Sequence, residues 1–321
     1  MSDRTLDAVL LGAERKLTRL DVARQAGVEP ERLRRLWGAL GFAAVDDEAQ
    51  VFTEADVRAA RTATELLGSG LVDAGLDAGL TRALGHHLSR LAEWQVQVVA
   101  EWLRAQPGEG LDEELGAQLA ESVLPVVAEL QDYVWRRHLA AFAGRMLAEG
   151  AEGGDGDGAR RHRVVGFVDM VGYTRLTRRL DERELVLLLE YFESLAAEVI
   201  AQGGGRVVKT IGDEVLFTCD DPVAAAETAL ALGERALDQA RLPGLRTGLA
   251  CGAVLSRLGD VYGEVVNIAA RLTAIARPGT ILVDESLATR LADTSQYRLR
   301  ALRPVPVRGY RRLRPCLLRR A

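Results

Sequence analysis

Two aspartates stand at points of the chain where chemistry is easily placed. Asp169 closes the apolar run Val164-Val165-Gly166-Phe167-Val168, and Asp213 lies in Lys209-Thr210-Ile211-Gly212-Asp213-Glu214, at the turn between two runs that read as strands. Carboxylates with open coordination positions suit Mg2+ or Mn2+, which prefer oxygen ligands and keep waters or phosphates. Two such ions could activate an attacking hydroxyl and neutralise a leaving pyrophosphate. The plain alternative is that Asp169 caps a helix and Asp213 fills a turn. After Asp169, Met170-Val171-Gly172-Tyr173-Thr174 reads as a turn into a helix, whose backbone N–H groups could hold phosphate. Gly172 is equally an ordinary turn residue.

The lysine in this region is conspicuous because lysine is scarce. Of 41 basic residues only Lys16 and Lys209 are lysines. Further on, Asn267 and Arg271 are four apart in a predicted helix and share a face. An arginine there offers a planar, permanently charged fork able to take two phosphate oxygens.

The elements that must position these residues alternate strand and helix. The run 164–168 is a strand. Asp181-Glu182-Arg183-Glu184 resembles a capping box, opening a helix that buries Leu185, Leu188, Leu189, Phe192, Leu195 and Val199 and stops at Gly203-Gly204-Gly205. Residues 206–210 and 214–218 form a hairpin. A helix over 222–240, a strand over 245–254 and a helix over 265–276 follow, and Ile281-Leu282-Val283 and the chain end offer further strands. The β-α-β-β-α-β order predicts a ferredoxin-like α/β (α+β) sheet with helices on one face. The first strand then runs beside the hairpin and brings Asp169 and Asp213 to one edge.

Four segments together resemble the signature blocks of the class III adenylate and guanylate cyclases. They are Phe167–Thr174, Lys209–Glu214, Gly259-Asp260-Val261-Tyr262-Gly263, and Val266-Asn267-Ile268-Ala269-Ala270-Arg271-Leu272, in family order over residues 163–312. The resemblance implies that Asp169 and Asp213 bind two Mg2+ or Mn2+ ions. It implies that Lys209 and Asp260 recognise adenine, since the adenine edge offers one acceptor and one donor and guanine reverses both. It implies too that Asn267 and Arg271 orient the ribose and stabilise phosphate charge. The implied reaction converts ATP to cyclic AMP in sites shared across a homodimer. A GTP-specific cyclase is the alternative that Lys209 argues against. Gly212-Asp213-Glu214 superficially matches a diguanylate cyclase motif, but the second glycine and the Glu-Phe ending are missing.

Residues 149–162, rich in Gly and Asp, read as a linker between a helical half, 1–148, and the cyclase-like half, 163–321. All four tryptophans precede it. The helical half shows an apolar stripe at Leu84, Leu88, Leu91, Gln95, Val98 and Trp102, and a longer pattern over 111–146 in which Pro125 predicts a kink or break. Residues 19–37 predict two short helices joined by a turn, faintly similar to the helix-turn-helix of MerR-type regulators. A DNA-binding regulator with a nucleotide-sensing half is therefore a competing reading. The layout resembles actinobacterial cyclases with an N-terminal regulatory domain, whose input could be a proton, through His86, His87, His138 and His162, or an apolar ligand.

The bulk composition bounds these readings. A net charge of −5 gives no general pull toward nucleic acid. No apolar run reaches the ~20 residues of a membrane span, and residues 1–4 lack the start of a signal peptide. Cys219, Cys251 and Cys316 are odd in number and far apart, so no disulfide framework or zinc site is expected. The expectation is a cytoplasmic enzyme.

Overall fold

A computed structural model describes residues 5–69, 74–105, 113–151, 160–237, 242–257 and 259–321. The chain divides into two compact units, Met1–Gly154 and Asp155–Ala321. Of the expected linker, residues 149–151 end a helix, 160–162 begin a strand, and 152–159 lie outside the described residues.

In the first unit the described residues form six helices: α1 (Leu6–Leu11), α2 (Arg19–Ala26), α3 (Pro30–Ala39), α4 (Glu54–Gly68), α5 (Ala74–Ala105) and α6 (Glu113–Ala151). The predicted helix pair over 19–37 is α2 and α3. Thr18 and Asp21 form a capping box at the start of α2, Gly27 ends it at φ 70, and Pro30 opens α3. Val22, Ala23, Val28, Leu33, Phe52, Val57 and Ala60 make a small core. Helix α6 runs through Pro125 without a break, although proline removes one helical hydrogen bond. The apolar stripe of α5 is helical, but Leu84, Leu88, Val98 and Trp102 are exposed rather than buried against this chain. On α6, Leu130, Tyr133, Trp135 and Leu139 are exposed as well.

The second unit is built on strands β1 (Arg160–Met170), β2 (Arg206–Ile211), β3 (Glu214–Cys219), β4 (Leu245–Arg257), β5 (Asp260–Tyr262), β6 (Ile281–Val283), β7 (Tyr297–Ala301) and β10 (Cys316–Arg320). The sheet order is β2-β3-β1-β4-β6-β10-β7, with β5 folded back on β4. Strands β8 (Val305–Val307) and β9 (Tyr310–Leu313) form a separate pair. The central β2-β3-β1-β4 order, antiparallel throughout, is the ferredoxin-like arrangement expected. The helices are α7 (Tyr173–Leu176), α8 (Glu182–Gln202), α9 (Pro222–Leu237), α10 (Glu264–Ile275) and α11 (Glu285–Leu291). The predicted capping box is present, with Asp181 and Glu184 each accepting from the other's backbone N–H.

The helices do not all lie on one face, as the sequence pattern had predicted. Val164, Val168 and Met170 of β1 pack with Phe192 and Val199 of α8, Ala225 and Ala229 of α9, and Leu287 and Leu291 of α11. The alternate residues, Val165 and Phe167, pack with Val265, Ala269 and Leu272 of α10. Side chains alternate across a strand, so α10 covers the opposite face from α8, α9 and α11. The reason is visible in β1 itself. Both sets of its alternating residues are apolar, which is the pattern of a strand buried on two sides.

Candidate active site

The register of three neighbouring strands lines up a row of charges. Asp169 of β1 lies directly opposite Glu214 of β3 on one side and Arg246 of β4 on the other. Directly opposed residues share a face, here the face that α10 covers. The Asp169 side chain is only 10% exposed and forms an ion pair with the Arg246 guanidinium. Arg246 also donates to the Ala274 carbonyl near the end of α10, at 3.5 Å. Asp213 joins the row through the hairpin turn, where Gly212 adopts φ 62 and the Asp213 carbonyl accepts the Met170 N–H at 3.1 Å. The structure thus brings the two predicted aspartates together.

Crowding among these carboxyls shows in their acidities. Burial raises the Asp213 carboxyl, and the neighbouring Asp169 adds to the rise. Burial, then the charges of Asp169 and Asp213, push Glu214 up to about 7. A divalent cation would relieve this repulsion. No group of three or more His, Cys, Asp or Glu residues is arranged around a metal position among the described residues. Two aspartates are nevertheless a fitting donor set for Mg2+ or Mn2+, which are commonly bound by one or two carboxylates with substrate phosphates and water completing the shell.

The segment Met170–Thr174 follows directly. The Met170 N–H is taken by Asp213 and the Val171 N–H by the Gly244 carbonyl at 2.9 Å, so neither amide is free for a phosphate. Gly172, at φ 77, caps α7. The first amides of a helix have no partner within it, so Gly172, Tyr173 and Thr174 are the positions in this segment whose N–H groups face no backbone carbonyl.

A second cluster holds Lys209 and Asp260. The Lys209 ammonium donates to Asp260 Oδ2 at 2.6 Å, while Asp260 Oδ1 accepts the Val261 N–H at 2.8 Å. Burial works to raise the Asp260 carboxyl. The hydrogen bonds from Lys209 and Val261 and the charges of Lys209 and Arg206 outweigh it and hold the group below the ordinary carboxylate range. The cluster therefore presents a charged donor and a charged acceptor side by side.

Helix α10 supplies the remaining predicted residues. Asn267 is exposed and Arg271 half-buried, one turn apart. The Nε of Arg271 is buried with no hydrogen-bond partner, which is costly unless something else engages the guanidinium. The helix can lie close to the sheet because β4 has glycine at 248. A Cβ there would come within 2.5 Å of the Ala269 carbonyl oxygen and would also strike the Thr273 backbone N. The hydroxyl of Thr273 donates to the Phe167 carbonyl at 3.3 Å and ties α10 to β1.

Sequence reasoning missed Arg246, Glu214 and Gly248. Glu214 stood in a quoted motif without a role. Arg246 and Gly248 acquire theirs through strand register and helix packing, which local spacing does not reveal.

The second unit is thus an α/β domain with a mixed sheet, an acidic row beside Arg246, a Lys209–Asp260 pair and a helix seated closely on Gly248. Residues 160–319 match the adenylate and guanylate cyclase catalytic domain. The chain is 44% identical over 290 residues to an adenylate cyclase of Streptomyces coelicolor, covering 90% of this chain and 75% of that one. It is 34% identical over 281 residues to the pH-sensitive adenylate cyclase MT1302 of Mycobacterium tuberculosis, covering 86% and 70% respectively. Among solved structures, the catalytic core of a rhodopsin-guanylyl cyclase with converted specificity, in complex with ATPαS, aligns with a TM-score of 0.47 and 20% identity. That alignment covers 50% of this chain and 99% of the other. The protein belongs to the adenylate and guanylate cyclase family. No helix among the described residues is long and apolar enough to cross a membrane.

Proposed function

We propose that the protein is an adenylate cyclase that converts ATP to 3′,5′-cyclic AMP and pyrophosphate. The observation that carries this reading is the Lys209–Asp260 pair at 2.6 Å. An ammonium donor beside a carboxylate acceptor matches the N1 acceptor and N6 amino donor of adenine, whereas guanine would set donor against donor and acceptor against acceptor. The curated relatives named as adenylate cyclases agree with that base choice.

In the proposed reaction the ribose 3′-oxygen forms a bond to the α-phosphorus while the bond from that phosphorus to the β-phosphate oxygen breaks. Asp169 and Asp213 would hold the Mg2+ or Mn2+ ions, which when bound favour the deprotonated 3′-oxygen and offset charge on the leaving pyrophosphate. Asn267 orients the ribose. Arg271, whose Nε has no partner in the free protein, takes the charge that builds on the α-phosphate. Gly172, Tyr173 and Thr174 offer backbone N–H groups to the phosphates.

The active form is proposed to be a homodimer in which Asp169 and Asp213 of one copy meet Lys209, Asp260, Asn267 and Arg271 of the other. The exposed apolar residues of α5 and α6 are proposed to help pair the two copies. Incubating the purified protein with ATP or GTP and Mn2+ or Mg2+ identifies the product; failure to make cyclic AMP with either metal overturns the reading. Mixing Asp169→Ala with Arg271→Ala, each inactive alone, tests the shared site. Recovered activity supports it, and silence in verified heterodimers refutes it.

The N-terminal unit is proposed to regulate this activity, with protons as the input. His86 and His87 on α5 and His138 on α6 are the candidates, and a relative is named as pH-sensitive. An unchanged pH–activity profile after replacing all three by glutamine removes them as the sensor.

A further inference from the structure

We propose that Arg206 is a positioning residue for base recognition, acting through the backbone of Gly259 to hold Asp260 beside Lys209. This rests on the adenylate cyclase reading and adds a residue outside the four signature blocks. Arg206 opens β2, and its guanidinium donates from Nη1 to the Gly259 carbonyl at 3.2 Å. Gly259 is the residue before Asp260 and adopts φ 81, a left-handed conformation that favours glycine. The turn leading into β5 is therefore fixed on one side by a glycine geometry and on the other by a charged donor from a different strand.

The local irregularity of β2 makes this possible. Arg206 and Lys209 are three apart, so in a regular strand they would point to opposite faces. The pairing of β2 with β3 shifts between Val207 and Lys209: Val207 opposes Phe217, and Lys209 opposes Leu216. The extra residue, Val208, is a β-bulge, a device that re-aims side chains. Arg206 opposes Thr218 and Lys209 opposes Leu216, two residues of β3 that share a face. The bulge thus brings both cations to the same side, one on the backbone of the 259–260 turn and one on the Asp260 carboxylate. The Arg206 charge also helps keep Asp260 ionised, which acceptance from an adenine amino group needs.

The test is steady-state kinetics of the full chain with ATP and with GTP for the wild type, Arg206→Met and Arg206→Lys. Base contacts lie away from the reacting phosphorus, so their loss falls mainly on KM. Arg206→Met is expected to raise KM for ATP about tenfold, the worth of one charge-assisted hydrogen bond, with a smaller change in kcat. The ATP-over-GTP ratio of kcat/KM should fall by a similar factor, and Arg206→Lys should restore most of both. An unchanged ATP-over-GTP ratio in Arg206→Met overturns the proposal. So does a uniform loss of kcat that follows a lowered Tm and that lysine does not rescue, because that is the signature of structure alone. A wild type that makes no cyclic AMP overturns the adenylate cyclase reading itself, a result distinct from a selective wild type with unaffected variants.

Discussion

Replacing Arg246 by methionine tests whether one guanidinium holds the acidic row in place until a metal ion arrives. The substitution keeps much of the side-chain length and removes the charge. Asp169, 10% exposed, then faces Glu214 and Asp213 with no cation on its other side. Stripping one partner from a buried ion pair costs about 3–5 kcal/mol. Arg246 is 35% exposed and so partly screened by solvent, and the expected loss is smaller, about 2 kcal/mol. For a domain of this size that lowers Tm by about 4–8 °C. The assay is thermal unfolding of the full chain in EDTA, repeated with Mn2+. A ligand that binds only the folded state stabilises it by RT ln(1 + L/Kd), where L is the free ligand concentration, and Mn2+ no longer competes with the guanidinium in the variant. Mn2+ should therefore raise Tm more in Arg246→Met than in the wild type. An unchanged Tm in EDTA would refute the stabilising role of the pair. Equal Mn2+ shifts in both proteins would show that Arg246 and the ion do not contend for Asp169.

Three further outcomes follow from the same geometry. Glu214 titrates near 7 when folded and near the ordinary carboxylate value when unfolded, so its contribution to stability is greatest at low pH and declines as pH rises toward 7. In metal-free buffer Glu214→Gln should accordingly gain Tm relative to wild type between about pH 5 and pH 8, and a difference that stays constant with pH contradicts that assignment. Gly248→Ala forces a methyl group against the backbone of α10, so it should lower Tm and cut cyclase activity by more than about tenfold; normal activity would show that α10 tolerates the shift. Lys209→Met removes the proposed N1 donor and should lower kcat/KM for ATP by about 10²-fold with a much smaller effect on GTP, while equal losses would place Lys209 outside base recognition.

The parts of the fold legible in the sequence were those decided locally. The Asp181–Glu184 capping box, the Gly212-Asp213 turn and the helix pair around Gly27 and Pro30 depend on residues within a few positions of one another. The approach of Asp169 to Asp213 was legible because a hairpin beside a first strand leaves few alternatives. Packing across the sheet was less so. The placement of α10 on the second face was encoded in β1, where Val164 and Val165, Phe167 and Val168 alternate between the two cores, yet the helix order alone argued for one face. Arg246 could not be singled out among 41 basic residues until strand register set it opposite Asp169. The stripe on α5 was correctly read as helical, but periodicity reports a shared face and not what covers it.

The two faces of the sheet divide the labour. The face under α8, α9 and α11 carries the larger continuous core, with Phe192, Phe217, Leu249 and Leu287 fully buried. A face packed that densely resists deformation and can hold strand register. On the other face α10 leaves Glu214, Asp169 and Arg246 in a row along one edge of the unit, with Lys209 further back on β2. Register errors are unforgiving in such an arrangement. A slip of one residue between β1 and β4 would turn Asp169 away from Arg246, and it would put a side chain bulkier than that of Gly248 under α10. The site's charges are thus held by the packing of the face that carries none of them, with glycine at 248 setting how closely the helix bearing Asn267 and Arg271 can approach.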